Sequence, residues 1–575
     1  MFRVPSRLLT AAALAALLVG PSWSEEAVEA GEIDAGAFLA ARQAEAENDF
    51  RAAAGWYGQA ILSDSGNPQL LQGAILAELG NGDFAIAVQA AQALKALGEE
   101  NQLAELALMA DEAKREDFAA LLAGAKAGRD LGDLVNGLVA AWARLGEGKM
   151  SEAEVAFDAV AETRGLEAFG LYHKALALAS VGDFEGADAI LSGPAAGAIV
   201  TMRRGIFAHA QILSQLERNA DALALLDTAF GTDPDPVVDA LRRRLAAGEP
   251  VPFDAVRTAR DGIAEVFFTV STALGRDGDP VDVLLHLRVA AYLRPDHSDT
   301  VLLTGDVLEM LGQHQLAAET YATFPADDPS FVPAQIGRAG ALQADGKTDA
   351  ALEVLQGLAR DHANLISVQF ALGDLLRTEE QFDEAEIAYT AALALLPEVT
   401  EDAWVLYFYR GICHEQSQDW AAAESDFRQS LALNGNQAQV LNYLGYGLVD
   451  RAEKLDEALG MIERAVAADP QKGYIIDSLA WALFRLGRYE EALEPMERAS
   501  ILEPVDPIVT DHLGDVYWMV GRQLEARFQW HRALSFGPIE KEAARIRRKL
   551  EIGLDAVMAG EAAAIPAVEA VGNAD

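Results

Sequence analysis

Small residues recur at a fixed interval through the second half of this chain. Ser271, Gly305, Ala339 and Gly373 are each 34 residues apart, and Gly411, Gly445, Ala480 and Gly514 continue with steps of 38, 34, 35 and 34. A unit of that length cannot bury its own apolar face, so it must stack on its neighbours and let the core grow one layer per repeat. A chain of 575 residues would ordinarily suggest several globular domains. The interval instead predicts an all-α stack of helix-turn-helix units.

Eight units are expected to begin near residues 264, 298, 332, 366, 404, 438, 473 and 507. Their second helices place a small residue at Ala317, Ala351, Ala385, Ala423, Ala458, Ala492 and Ala526, with Val283 the exception. One turn later stands a bulky one: Leu287, Tyr321, Leu355, Tyr389, Phe427, Ile462, Met496 or Trp530. Large beside small is what close packing of neighbouring helices requires. Prolines such as Pro295, Pro397, Pro470, Pro504 and Pro538 close the units, since proline cannot continue a helix. Gly278, Gly312, Gly346, Gly487 and Gly521 fall at the expected turns inside them.

The first half is a weaker copy. Phe50, Phe84 and Phe118 are 34 apart, Met150, Phe184 and Asn219 follow, and Ala53, Ala87, Ala153, Ala187 and Ala222 lie three residues after their markers. Six degenerate units are expected within 25–235. Residues 231–263 break the period and hold Pro234, Pro236, Pro250 and Pro252. The segment 236–263 therefore reads as a hinge or a shortened repeat, ahead of a regular array over 264–538. Residues 539–557 form a basic capping helix with Lys541, Arg545, Arg547, Arg548 and Lys549, and a disordered tail is expected over 558–575.

The formal charge of −44 disfavours nucleic acid, whose phosphates need a cationic face. It suits a solvated outer surface or a basic partner. Arg3 and Arg7 precede an apolar run from Leu8 to Val19, and Ser22-Trp23-Ser24 supplies small residues at a cleavage site after Ser24. That pattern predicts a secretion signal over 1–24 and a periplasmic chain. The sole cysteine, Cys413, excludes an internal disulfide and reads as a packed thiol; no cysteine follows the apolar run, so no lipoprotein anchor is expected.

Leu479-Ala480…Leu483…Gly487…Tyr489…Ala492…Met496…Ala499…Pro504, repeated as Leu513-Gly514…Tyr517…Gly521…Ala526…Trp530…Ala533…Pro538, resembles the tetratricopeptide repeat. The resemblance implies a right-handed superhelical solenoid of about 14 repeats, with first helices lining a concave wall. The segment Asn442-Tyr443-Leu444-Gly445-Tyr446, with Asp477-Ser478-Leu479-Ala480-Trp481 and Asp511-His512-Leu513-Gly514-Asp515, further resembles a group of Gram-negative envelope proteins built of these repeats. Some members are outer-membrane lipoproteins that dock a carboxy-terminal processing protease and present cell-wall hydrolases to it.

The family pattern puts groove-facing residues at unit positions 2, 5, 9 and 12, one face of a helix. Here those are Val405, Phe408, Ile412 and Glu415; Gln439, Asn442, Tyr446 and Val449; Tyr474, Asp477, Trp481 and Phe484; and Ile508, Asp511, Asp515 and Trp518. The strongest candidates for partner contact are Phe408, Asn442, Tyr446, Tyr474, Asp477, Trp481, Asp511, Asp515 and Trp518. Aromatics anchor interfaces, carboxylates receive basic or amide groups, and an asparagine can fix an extended backbone. A protein or peptide partner is expected, with a glycan or a polysaccharide-export role as the alternative. The basic terminal helix could also touch an anionic membrane surface.

Catalytic motifs are missing. Gly340 to Gly346-Lys347-Thr348 has five intervening residues where a phosphate loop needs four, and His414-Glu415 lacks the second histidine of a zinc protease at Gln418. The nine histidines are scattered singly. Neither an enzyme, a metal nor a cofactor is expected.

Overall fold

The computed structural model describes residues 34–193, 202–231, 235–275 and 278–564. The expected signal at 1–24, Pro234 and the tail from 565 onward lie outside the described residues. Among the described residues there are 31 α-helices, one short 3-10 turn at Glu401–Ala403, and no strand. The architecture is an all-α solenoid of paired helices.

Local sequence decides where these helices start. Phe50, Phe84, Phe118, Met150, Phe184 and Asn219 are each the first residue of a helix. Four follow an aspartate whose carboxylate accepts a backbone N–H three residues on, from Asp49, Asp83, Asp117 and Asp183. Such a cap contributes about 1 kcal/mol. The alanines at 53, 87, 153, 187 and 222, and those from Ala317 to Ala526, are all buried.

The small and large positions of each repeat are in direct contact. A methyl group on Gly305 would lie 2.3 Å from Tyr321, one on Gly411 2.7 Å from Phe427, and one on Gly514 2.5 Å from Trp530. Glycine is needed there so that the two helices can approach. At the turns, Gly312, Gly346, Gly487 and Gly521 adopt φ of 72°, 75°, 73° and 85°, whereas Gly278 is not left-handed. Glu380 and Gln418 take the left-handed conformation where their repeats lack a glycine.

The helices group into two compact units, Met1–Phe331 and Val332–Asp575. In the first, helices Ala259–Leu274 and Pro280–Leu293 turn back onto Pro68–Asn81, Gln102–Lys114, Asp133–Gly146 and Glu167–Ser180. Those four are first helices of the degenerate repeats, the ones that would line an open groove. Gly262 lies flat on Trp142, with 2.3 Å to a would-be methyl. Tyr172 Oη donates to Glu265 at 2.8 Å, and Phe84 stacks on Tyr292 at 4.1 Å. Lys114 Nζ donates to the Tyr292 carbonyl at 2.6 Å and Arg288 Nε to that of Gly80 at 3.0 Å. The inner wall of this unit is filled by its own chain. Residues 264–331, assigned by periodicity to the regular array, thus pack with the degenerate repeats.

The proline-rich stretch lies inside the same unit. It forms one helix, Pro236–Ala246, followed by a strap that is pinned along its length. Val251 N–H donates to Ser214 Oγ, Gln211 Oε1 accepts from the N–H groups of Asp254 and Ala255, and Arg294 donates to the carbonyls of both. With so many backbone groups satisfied by side chains, the strap is an ordered part of the fold.

The second unit ends in two helices, Glu540–Ile552 and Leu554–Ala564. The second continues six residues past Met558, where the tail was expected to be disordered. It is held by Arg545 pairing with Glu561 at 2.8 Å and by Trp518 Nε1 donating to Asp555 at 2.9 Å.

Candidate binding groove

Four consecutive first helices of the second unit, with Arg377 of the first helix before them (Ile366–Thr378), surround a cavity of about 690 Å³. Trp404–Gln416 contributes Phe408, Tyr409, Ile412 and Glu415; Ala438–Asp450 contributes Gln439, Asn442, Tyr443 and Tyr446. Gly473–Arg485 adds Tyr474 and Asp477, and Pro507–Met519 closes one end with Ile508, Val509 and its capping residue Asp506. The helical face predicted from steps of three and four residues is the face that lines this cavity.

Of the nine predicted contact residues, Phe408, Asn442, Tyr446, Tyr474 and Asp477 line the cavity. Tyr474 is 39% exposed, and Tyr446 is half-buried. Phe408 is buried and braces the wall from behind, packing edge-on against Tyr443 with centroids 5.3 Å apart. Asp477 is buried too, and both of its oxygens lie 3.0 Å from His512 Nδ1. Burial works against charge on His512, but Asp477 outweighs it and holds the imidazole pKa above its ordinary value.

The other four do not line the groove. Trp481 is buried between His512, stacked at 4.0 Å, and Phe484, stacked at 4.8 Å. Asp511 and Asp515 are engaged by the fully buried Lys549 ammonium, at 2.7 Å and 2.6 Å. Trp530 Nε1 donates to Asp515 as well, at 2.9 Å. Trp518 is half-buried against Gly553 and tied to Asp555. The basic helix Glu540–Ile552 occupies the place of a further first helix and consumes the groove-facing acids of the last repeat. The repeat pattern marks a face, and a terminal helix can cover that face.

Sequence reasoning passed over Tyr409 and Tyr443. They stand 34 residues apart, each one position after a predicted groove residue, so the repeat spacing itself carried the signal. Tyr443 is 36% exposed at the cavity.

Two polar groups in the wall are left without partners. Asn442 is 6% exposed, yet its Oδ1 accepts no hydrogen bond. The Glu415 carboxylate makes no hydrogen bond and no direct ion pair, and burial raises its pKa despite the Arg451 charge nearby. The cavity's cation, Arg377, is already spent: it donates to Asp374 at 2.6 Å and lies over the Tyr409 ring at 4.5 Å. Asp506 is committed to the N–H groups of Ile508 and Val509. The groove is aromatic, and of the charged side chains that line it Glu415 is the one without a hydrogen-bond or ion-pair partner among the described residues.

No metal-binding constellation of His, Cys, Asp and Glu exists among the described residues, and none of their helices is long and apolar enough to cross a membrane. Cys413 is fully buried, which pushes its thiol pKa up to about 12. Gly346, Lys347 and Thr348 sit at a turn between the two helices of one repeat.

Comparison with known proteins agrees with the repeat geometry. A tetratricopeptide repeat family profile matches residues 370–438, 448–507 and 478–538. A TPR repeat-containing protein of Pseudomonas aeruginosa is 32% identical over 173 residues, which is 30% of this chain and 28% of that protein. The chain therefore aligns with well under half the length of this relative. Among solved structures, the APC/C hetero-tetramer Cut9-Hcn1 is similar over 90% of this chain and 96% of that one, at 16% identity and a TM-score of 0.38. YrrB, a TPR protein with an unusual peptide-binding site, covers 32% of this chain and 94% of its own, at 19% identity and a TM-score of 0.28. With helix pairs at the expected register and family matches on both sides of Ala438–Asp450, residues 370–438 and 448–538 are tetratricopeptide repeats.

Proposed function

We propose that this protein is a non-catalytic scaffold that binds an extended protein segment in the groove formed by helices Trp404–Gln416, Ala438–Asp450, Gly473–Arg485 and Pro507–Met519. Proteins of this repeat class generally mediate protein–protein interaction. The observation that carries the reading is the unpartnered Asn442 Oδ1, buried in the wall of an otherwise aromatic groove. An acceptor left unsatisfied costs about 1–3 kcal/mol, which a peptide N–H would recover on binding. Tyr443, Tyr446 and Tyr474 supply the large, stiff contact surface typical of interface anchors.

The pattern of residues 1–24 supports a periplasmic location for this activity. The resemblance of the groove repeats to envelope adaptors supports a role in presenting envelope proteins, cell-wall hydrolases among them, to a processing protease. A photo-crosslinking residue in place of Tyr474 should trap discrete partners in intact cells. The same residue in place of Ile387, which is exposed on a second helix, should not. Equal adducts from both positions, or none from Tyr474, would remove the groove from the account.

A further inference from the structure

The groove has a chemical preference that its shape alone does not convey. We infer that it selects an extended peptide carrying a lysine or arginine side chain, whose cation sits among Tyr443, Tyr446 and Tyr474 and pairs with Glu415. This rests on the proposed role of the groove as a peptide site and names the class of peptide.

The preference follows from which wall charges are free. Asp477 is held by His512, Asp506 by two backbone N–H groups, and Arg377 by Asp374. Glu415 remains, half-buried and without a donor. A carboxylate that no donor reaches in a partly desolvated wall is costly until a hydrogen-bonding cation arrives, and a charge-assisted hydrogen bond is then stronger than a neutral one. Aromatic faces reinforce the same choice, because their negative π-clouds attract ammonium and guanidinium groups. Asn442 Oδ1 adds one more acceptor. The lining offers a peptide carboxylate one cation, Arg377, which is already engaged. The excess of 89 acidic over 45 basic residues would draw a basic segment toward the chain from a distance.

The length of the segment can be estimated. Four neighbouring helices spaced about 10 Å apart span roughly 30 Å. An extended chain covers that in about nine residues at roughly 3.3 Å each.

The test is selection of a random nonapeptide library displayed on phage against the full chain, against Glu415→Gln and against Tyr446→Ala/Tyr474→Ala. The expected result is enrichment of Lys or Arg at one fixed position on the native chain. That enrichment should be lost with Glu415→Gln, and an individual selected peptide should bind that variant about tenfold more weakly, the usual loss for a hydrogen bond to a charged group. Thermal stability of Glu415→Gln should equal or exceed that of the native chain, because the variant removes a charge that lacks a partner. Enriched peptides without a fixed basic residue, yet dependent on the two tyrosines, would overturn the inference and leave the peptide groove standing. Selection indifferent to the tyrosines would overturn both.

Discussion

At the residue scale, the decisive contacts are between residues with almost no side chain and residues with very large ones. Gly411 and Gly460 are both helical glycines of the second unit, and they make opposite predictions. A methyl on Gly411 meets Phe427 at 2.7 Å, while one on Gly460 meets nothing within 4 Å. Gly411→Ala should therefore destabilise the unit by about 1–3 kcal/mol through overpacking. Gly460→Ala should stabilise it by up to about 1 kcal/mol through helix propensity. Urea denaturation of the two variants beside the native chain checks both signs. Shifts of the same sign would show that intrinsic propensity, and not the approach of paired helices, governs these positions. Residue identity was legible here in advance, because the small and bulky positions recur in register and each pair is one of direct contact.

At the scale of elements, the terminal helix Glu540–Ile552 both caps the solenoid and closes its last groove. Lys549 is fully buried against Asp511 and Asp515, so the helix is locked by charge as well as by Ile546 in the core. Burial, then the neighbouring Asp515, raises the Asp511 pKa to about 6, with Lys549 pulling the other way. The His512 pKa is also raised, by Asp477 against the opposing effect of burial. For a group whose folded pKa exceeds its unfolded value, the stabilising contribution is complete below the unfolded pKa and disappears as pH climbs through the folded one. Of the two, Asp511 is the one in contact with the terminal helix, through Lys549, and it therefore favours the closed cap at pH 5 over pH 8. Amide exchange across 540–552, corrected for the intrinsic pH dependence, should be more protected at pH 5, and the difference should shrink in Asp511→Asn. Equal protection at the two pH values would contradict this.

Elements also mark where sequence reading stopped. The starts of the second helices could be read from Phe50 to Asn219, because four of the six are a local signal, a phenylalanine after an aspartate cap, and the spacing carries the other two. That Ala259–Leu274 and Pro280–Leu293 fold back onto the degenerate repeats could not, since the repeat period is the same on either side of the break. The contacts that hold that return are non-local: Gly262 on Trp142, Tyr172 to Glu265, Tyr292 on Phe84. The groove was legible by the same logic. Periodicity named the helix face and placed Asn442, Tyr446 and Tyr474 on it, but it carried no information that Lys549 would reach Asp511 and Asp515.

At the scale of the molecule, the two units use the same repeat for different ends. The first fills its inner wall with its own helices, and the second keeps its inner wall open across Phe408 to Val509. The central claim is that partners are read by that open wall. Hydrogen exchange of the full chain with and without a nonapeptide selected on it tests this directly. The account predicts new protection confined to helices Trp404–Gln416, Ala438–Asp450 and Gly473–Arg485, with residues 35–331 unchanged. Protection in the first unit, or on the outward second helices such as Phe382–Ala394, would contradict it.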